Sequence, residues 1–343
     1  MFSSLVRKMT EWFIVLFTVS LVAWFVLTSP ILPSFDSSEF EAADADKLRQ
    51  YVESLAHAPR MAEFDNLRPP ARYIHKQLKA YGNTHYQPFT TAIGTVNNVI
   101  IEFGPDSKDV LVVGAHYDAL DGLPGADGNA SGVAGLIELA RLLSKQKDLP
   151  IRVQLVAYAL CEGKYFGTQD MGSYQHALQL KKQHKNVVMM MSLDSIGYFS
   201  DKSGSQHFPY EFMRYFYPSS GDFIRITGRL QDILAVRKVK KSFAKTDLPV
   251  RSLNAPEILS PVETSDNTSF WEQGFPAVLI SDTAADRNPA YHTESDTAEY
   301  LDYERMAIVV QGVGQAILDI TNDFRPPDIL VAQKEKDRRD TAQ

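Results

Sequence analysis

The runs "IRVQLVAYAL" (151–160), "VVMMMSLDSIG" (187–197) and "AVLISD" (277–282) are apolar at almost every position. A strand with one wet face alternates apolar and polar residues, so runs of this kind belong inside a sheet that is covered on both faces. With "NNVIIEF" (97–103) and "DVLVVGAHYD" (109–118) they make five expected strands. Amphipathic helix patterns surround them at 41–57, 69–82, 132–146 and 302–321, the second opened by Pro69 and closed by Gly82. This alternation predicts an α/β fold, a three-layer sandwich with a mostly parallel central β-sheet flanked by helices. The segment 198–221 is aromatic and turn-rich, and is expected to run over the sheet rather than within it.

A second feature stands apart from this pattern. Arg7 and Lys8 precede "WFIVLFTVSLVAWFVL", a run without a charge, and Asp36, Glu39 and Glu41 follow it. At about 1.5 Å per residue, residues 12–32 can cross a hydrocarbon core about 30 Å thick. Basic residues before the run and acidic ones after it place the N-terminus in the cytoplasm and the rest of the chain outside it. A cleaved signal peptide and a buried helix are the competing readings, and no clear small-residue cleavage site follows the run. The expected organisation is therefore a cytoplasmic N-terminus (1–11), a transmembrane signal anchor (12–32), one domain (40–325) and a polar tail (326–343). That domain lies in the periplasm if the cell has two membranes.

The net charge is −7, and "RKVKK" (237–241) reads as the solvated face of a helix, which argues against a nucleic-acid partner. The single cysteine excludes an internal disulfide.

Polar residues fall at the ends of the apolar strands: His116 and Asp118 after one, Cys161 and Glu162 after another, Asp194 after a third. Strand ends are where parallel sheets assemble their sites. Histidine and carboxylate donors are zinc ligands, and "NPAYHTESDT" offers a further histidine, His292.

The segments "GAHYDALDGLPGADGNASGVAGLIELARLL", "MMSLDSIGY", "SDNTSFWEQGFPAVLISDT" and "NPAYHTESDTAEYLDYERM" together resemble metallopeptidase family 28 over residues 45–322. These are zinc exopeptidases, aminopeptidases among them, with glutaminyl cyclases as more distant relatives. The resemblance implies a cocatalytic zinc pair and a peptide as substrate or ligand. It assigns His116, Asp194, Glu162 and His292 as metal ligands, and Asp118 as the carboxylate that orients His116.

Two central positions depart from the family. The bridging aspartate is replaced by Gly128 in "GADGNASG", and the general-base glutamate by Cys161 in "CEG". A lesser departure is Asn267, where family members often carry histidine. Two dications about 3.5 to 4 Å apart repel by roughly 17 to 19 kcal/mol at an effective dielectric near 20. Without the bridge, Glu162 and Asp194 supply two negative charges against four positive. One weakly bound zinc or none is expected, unless Asp127, one residue away, takes the bridging role through a shift of the loop. A thiol is a poor proton acceptor beside zinc, and loss of a general base costs about 10² to 10⁴ in rate. A nucleophilic Cys161 would need a histidine base, and the only candidates are the ligand histidines. The expectation is a zinc aminopeptidase-like protein with reduced or lost hydrolysis. The alternative is a working aminopeptidase in which Asp127 compensates.

Overall fold

The computed structural model describes residues 2–31, 37–57, 60–61, 63–120, 122–255 and 265–325. The tail expected at 326–343 and the last residue of the expected span, 32, lie outside them.

Eight strands form one sheet: β1 (Asn83–Thr91), β2 (Gly94–Phe103), β3 (Asp109–His116), β4 (Arg152–Tyr158), β5 (Asn186–Leu193), β6 (Ile224–Arg229), β7 (Val250–Ala255) and β8 (Ala277–Ser281), in the order β1-β2-β4-β3-β5-β8-β6-β7. The four inner strands β4, β3, β5 and β8 are mutually parallel. β6 and β7 are parallel to each other but antiparallel to β8, and a β1–β2 hairpin joins β4 antiparallel. The sheet is therefore mixed, with a parallel centre. The five strands read from the sequence are all internal. β1, β6 and β7 were not legible, because "NTHYQPFTT" is polar and "IRITGR" and "VRSLNA" carry arginines within a short span.

Helices α2 (Ala45–Ala56), α3 (Phe64–Lys79), α4 (Gly132–Leu143), α6 (Ile233–Phe243) and α8 (Tyr303–Asn322) cover one face, and α5 (Gly172–Lys182) and α7 (Asn267–Glu272) the other. The period of two along β3 shows the division: Leu111 and Val113 enter the larger core, Val110 and Val112 the smaller one.

Two helix boundaries differ from expectation. Pro69 and Pro70 lie inside α3, which starts at Phe64 rather than at the prolines. The N-terminal helix α1 (Phe2–Thr28) begins well before residue 12 and stops at Thr28. Ser29 there adopts φ +40 and Pro30 cannot continue the helical ladder. Arg7–Thr28 is long and apolar enough to cross a membrane.

Candidate active site

The C-terminal ends of β3, β4 and β5 lie side by side on one rim of the sheet, and their parallel pairing carries His116, Cys161–Glu162 and Asp194 to the same place. Left-handed backbone marks the exits of β4 and β5, Leu160 with φ +65 and Ser195 with φ +53, and recurs at His292 with φ +56 in the loop after β8. Non-glycine residues in this region are strained, and such strain concentrates at functional sites.

Asp118 organises the rim. Its buried carboxylate accepts from the backbone N–H of Cys161 (2.9 Å) and of Glu162 (2.8 Å), which fixes the turn after β4. One of its oxygens also stands 3.5 Å from His116 Nδ1. On the other side of the ring, His116 Nε2 is 3.4 Å from Asp194 Oδ2. Burial opposes a charge on this imidazole, but Asp194 and Asp118 outweigh it and hold the group well above its ordinary range.

A second pair faces solvent. His292 Nε2 is 3.4 Å from Glu162 Oε1, and the Tyr291 ring stacks on the His292 ring with centroids 3.9 Å apart. Glu162 raises the His292 pKa. The structure thus brings the four expected ligands together as two pairs.

Gly128 lies between these elements, and its place is not open. A Cβ there would stand 2.9 Å from Tyr291 Cε2 and 3.8 Å from Asp296 Oδ2. Asp296 holds the loop itself, accepting from the backbone N–H of Asp127 (2.9 Å) and Gly128 (3.1 Å). Asn129 ties the same loop to the end of β5: its Nδ2 donates to Leu193 O, and its Oδ1 accepts from the N–H of Gly132 and Ser195. Only glycine fits at 132, because a Cβ would come within 2.4 Å of Asn129 Oδ1.

Asp127 is turned into the protein. Its carboxylate accepts from Gly197 N–H (3.1 Å), Ser131 Oγ (3.3 Å) and Asn288 Nδ2 (3.0 Å). Burial pushes its carboxyl up to about 6, and burial pushes the carboxyl of neighbouring Asp282 up as well. Bringing Asp127 to the centre would break all of these bonds.

Cys161 is buried, with Sγ 3.9 Å from Ser265 Oγ. Burial first, and then the carboxylates of Asp266, Asp118, Asp194 and Glu162, push its thiol well up. Thiolate nucleophiles need the opposite surroundings. Asn267 is equally buried, and its Oδ1 accepts from Ser265 N–H (2.9 Å).

Two donors on one tetrahedral zinc at about 2.1 Å stand about 3.4 Å apart, the spacing found within each pair. Each pair could therefore supply two ligands to one ion. A catalytic zinc takes three protein ligands, and among the described residues no three His, Cys, Asp or Glu side chains group around one point.

Four residues of this centre escaped the sequence reading. Tyr291 and Asp296 flank His292 in "YHTESD", where the histidine drew attention first. Asp266 lies in "SDN", and burial raises its carboxyl to about 7. Arg60 is wholly buried, donates to Pro124 O and Gly125 O, and sets its charge against Asp118, Asp296 and Glu162. Nothing in "APRMAE" marks it.

The profile of the family described as Peptidase family M28 matches residues 98–317. The uncharacterized protein YfbL of Escherichia coli (strain K12) is 39% identical over 320 residues, covering 90% of this chain and 97% of that protein. Leucine aminopeptidase 1 of Metarhizium robertsii is 25% identical over 221 residues, covering 61% of this chain and 51% of the fungal protein, so the chain spans about half of that relative. The LapA aminopeptidase of Legionella pneumophila superposes with a TM-score of 0.65 at 21% identity, covering 84% of this chain and 78% of LapA.

Proposed function

The chain belongs to peptidase family M28, and from that premise we propose that it is a membrane-anchored member of aminopeptidase type whose hydrolytic activity is reduced or lost. The observation that carries this reading is the filled bridging seat. Where a bridging carboxylate would project from position 128 there is no side chain, and the edge of Tyr291 takes the space. A buried thiol at the base position supports the same conclusion.

His116, Asp194, Glu162 and His292 are the residues that would hold zinc, which as a Lewis acid polarises a peptide carbonyl and acidifies water. The Asp118 backbone carbonyl, 3.1 Å from His116 Nδ1, keeps that ring in place, and the Asp118 carboxylate fixes the turn that carries Glu162. His292 and Glu162 are the solvent-facing pair and would meet a peptide N-terminus first.

Elemental analysis of the purified full chain, with turnover of amino-acid amides measured beside it, tests this reading. We expect at most one zinc per chain, removable by mild chelation, and turnover far below the roughly 10 per second typical of enzymes. Two tightly held zinc ions with ordinary turnover that chelation abolishes would overturn it, and would point to Asp127 as a replacement bridge in a working aminopeptidase.

The anchor reading rests on Arg7–Thr28 and on the charge asymmetry around it. A reporter fused after residue 343 should be active only when it is a reporter that works outside the cytoplasm. Activity of a cytoplasm-only reporter would contradict the orientation, and an exported product shortened by the apolar segment would mean cleavage.

A further inference from the structure

α1 does not end as a free tether. A helix leaves its last carbonyls without intrahelical donors, and here the domain supplies them. Asn254 Nδ2 donates to Val26 O (2.9 Å), Ser252 Oγ to Thr28 O, Lys240 Nζ to Thr28 O (2.7 Å) and Ser29 O (3.2 Å), and Arg237 Nη1 to Pro30 O (2.9 Å). Cations at this end also oppose the helix dipole favourably. Asn254 and Ser252 belong to β7, the edge strand of the sheet, so the foot of α1 is seated on that edge.

The aromatic segment predicted to run over the sheet is fixed to the same strand. Tyr217 donates its hydroxyl to Ser252 O (2.8 Å), and Met213, Tyr217 and Leu253 form a small cluster against which Leu27 of α1, Phe208, Tyr210 and Phe216 pack. Beyond that cluster the segment turns aromatic side chains outward. Tyr215 is 88% exposed and Phe212 46%, with Phe212 stacked on Tyr210 and meeting Phe216 edge-on. Interior packing does not account for these rings, since they leave the cluster rather than enter it.

The place of this segment along α1 identifies what it meets. Arg7–Thr28 spans about 33 Å at 1.5 Å per residue, the thickness of a hydrocarbon core and little more. Leu27, at the end of that length, touches the aromatic cluster, so the cluster stands at the depth where a membrane-spanning α1 leaves the bilayer. Amphipathic rings prefer that layer. Between the helix foot and the segment lies a cavity of about 660 Å³, lined by Trp24, Ile31 and Phe216 and, on the domain side, by Asp247, Val250 and Arg251.

We propose that Tyr210–Tyr217 is a membrane-interface platform: its exposed rings, Phe212 and Tyr215, lie in the headgroup layer of the outer leaflet beside the exit of α1 and seat the domain against the bilayer. This rests on α1 being an anchor, and it goes beyond that reading by making the domain itself a membrane-binding surface of fixed orientation.

The test uses the full chain in phosphatidylcholine–phosphatidylglycerol vesicles, with and without lipids brominated near the headgroup end of the acyl chain. The reporter protein carries Tyr215→Trp with Trp12→Phe and Trp24→Phe; a second protein carries only Trp12→Phe and reports through Trp24. A third, with Trp12→Phe and Trp24→Phe alone, gives the background from Trp271, which lies on α7 beneath the sheet. We expect brominated lipid to reduce the emission of both reporters and to leave the background unchanged. Loss of emission at Trp24 without loss from the Tyr215→Trp protein would overturn the platform and leave the anchor standing. No loss from either would overturn both. Tyr215 is almost fully exposed, so the substitution leaves the fold intact.

Discussion

Gly128→Asp combined with Cys161→Glu is expected to raise zinc-dependent hydrolysis of amino-acid amides by about 10² or more over either single variant. The two changes act as a unit. A base without activated water has nothing to deprotonate, and a restored bridge without the base still lacks the factor of about 10² to 10⁴ that proton transfer contributes. The structure adds a steric term and an electrostatic one. Any side chain at 128 starts 2.9 Å from the Tyr291 ring, so that ring must swing away from its place, and the new carboxylate then faces Asp296. A glutamate at 161 would enter a buried site already ringed by Asp118, Asp194, Glu162 and Asp266. Each single variant should therefore melt below the unaltered protein in the absence of metal, through uncompensated negative charge. Zinc should return the double variant to or above the original melting temperature, because binding to the folded state alone stabilises it. Adding Tyr291→Ala separates the steric term: if the ring is the obstacle, the triple variant binds zinc more tightly than the double. A double variant that binds two zinc ions and remains inert would show that the loss extends past these positions. An unaltered chain with ordinary turnover would refute the premise.

The second large effect is on stability. Asp118→Ala should cost about 3 to 5 kcal/mol, the range found when one partner is removed from a buried charge network. Its carboxylate is wholly buried and satisfies the N–H groups of Cys161 and Glu162, each of which would cost about 1 to 3 kcal/mol if left without an acceptor. It also faces the buried guanidinium of Arg60, whose charge would lose one of its three nearby carboxylates. Asp118→Asn should lose less, because one amide oxygen at the Oδ2 position can accept from both N–H groups, while the charge beside Arg60 is lost in both variants. Thermal or denaturant unfolding of the detergent-solubilised chain measures both variants. A change under about 1 kcal/mol for the alanine variant, within the ordinary range of surface substitutions and small core losses, would mean that the turn after β4 is held by other contacts.

Much of the fold was open to inspection in the chain itself. The apolar runs at 109–118, 151–160, 187–197 and 277–282 required two covered faces, and they form the parallel centre β3, β4, β5 and β8. Burial on both faces is a property of composition over a few residues, so it can be read locally. β6 and β7 could not be read in this way, since Arg225 and Arg229 lie buried in a strand where composition alone argues for exposure. Arg229 is held there by Asp232 and covered by Trp271, a pairing that exists only after folding.

The site divides along the same line. His116, Asp118, Glu162, Asp194 and His292 were identifiable because each sits in a short motif whose order along the chain carries information, and Gly128 and Cys161 stood out as departures from it. By itself the sequence determined the sheet centre, the positions of these residues and the absence of a carboxylate at two of them. Only the tertiary structure decided that the gap at Gly128 is filled by Tyr291, that Asp127 is bound by Asn288 and Gly197, and that α1 is seated on β7. The reason is distance along the chain: Gly128 and Tyr291 stand 163 residues apart in sequence (291 − 128), and Val26 and Asn254 stand 228 apart. No pattern within a window of sequence records a contact of that separation, because its energy depends on where the sheet places the two ends rather than on either residue's neighbours.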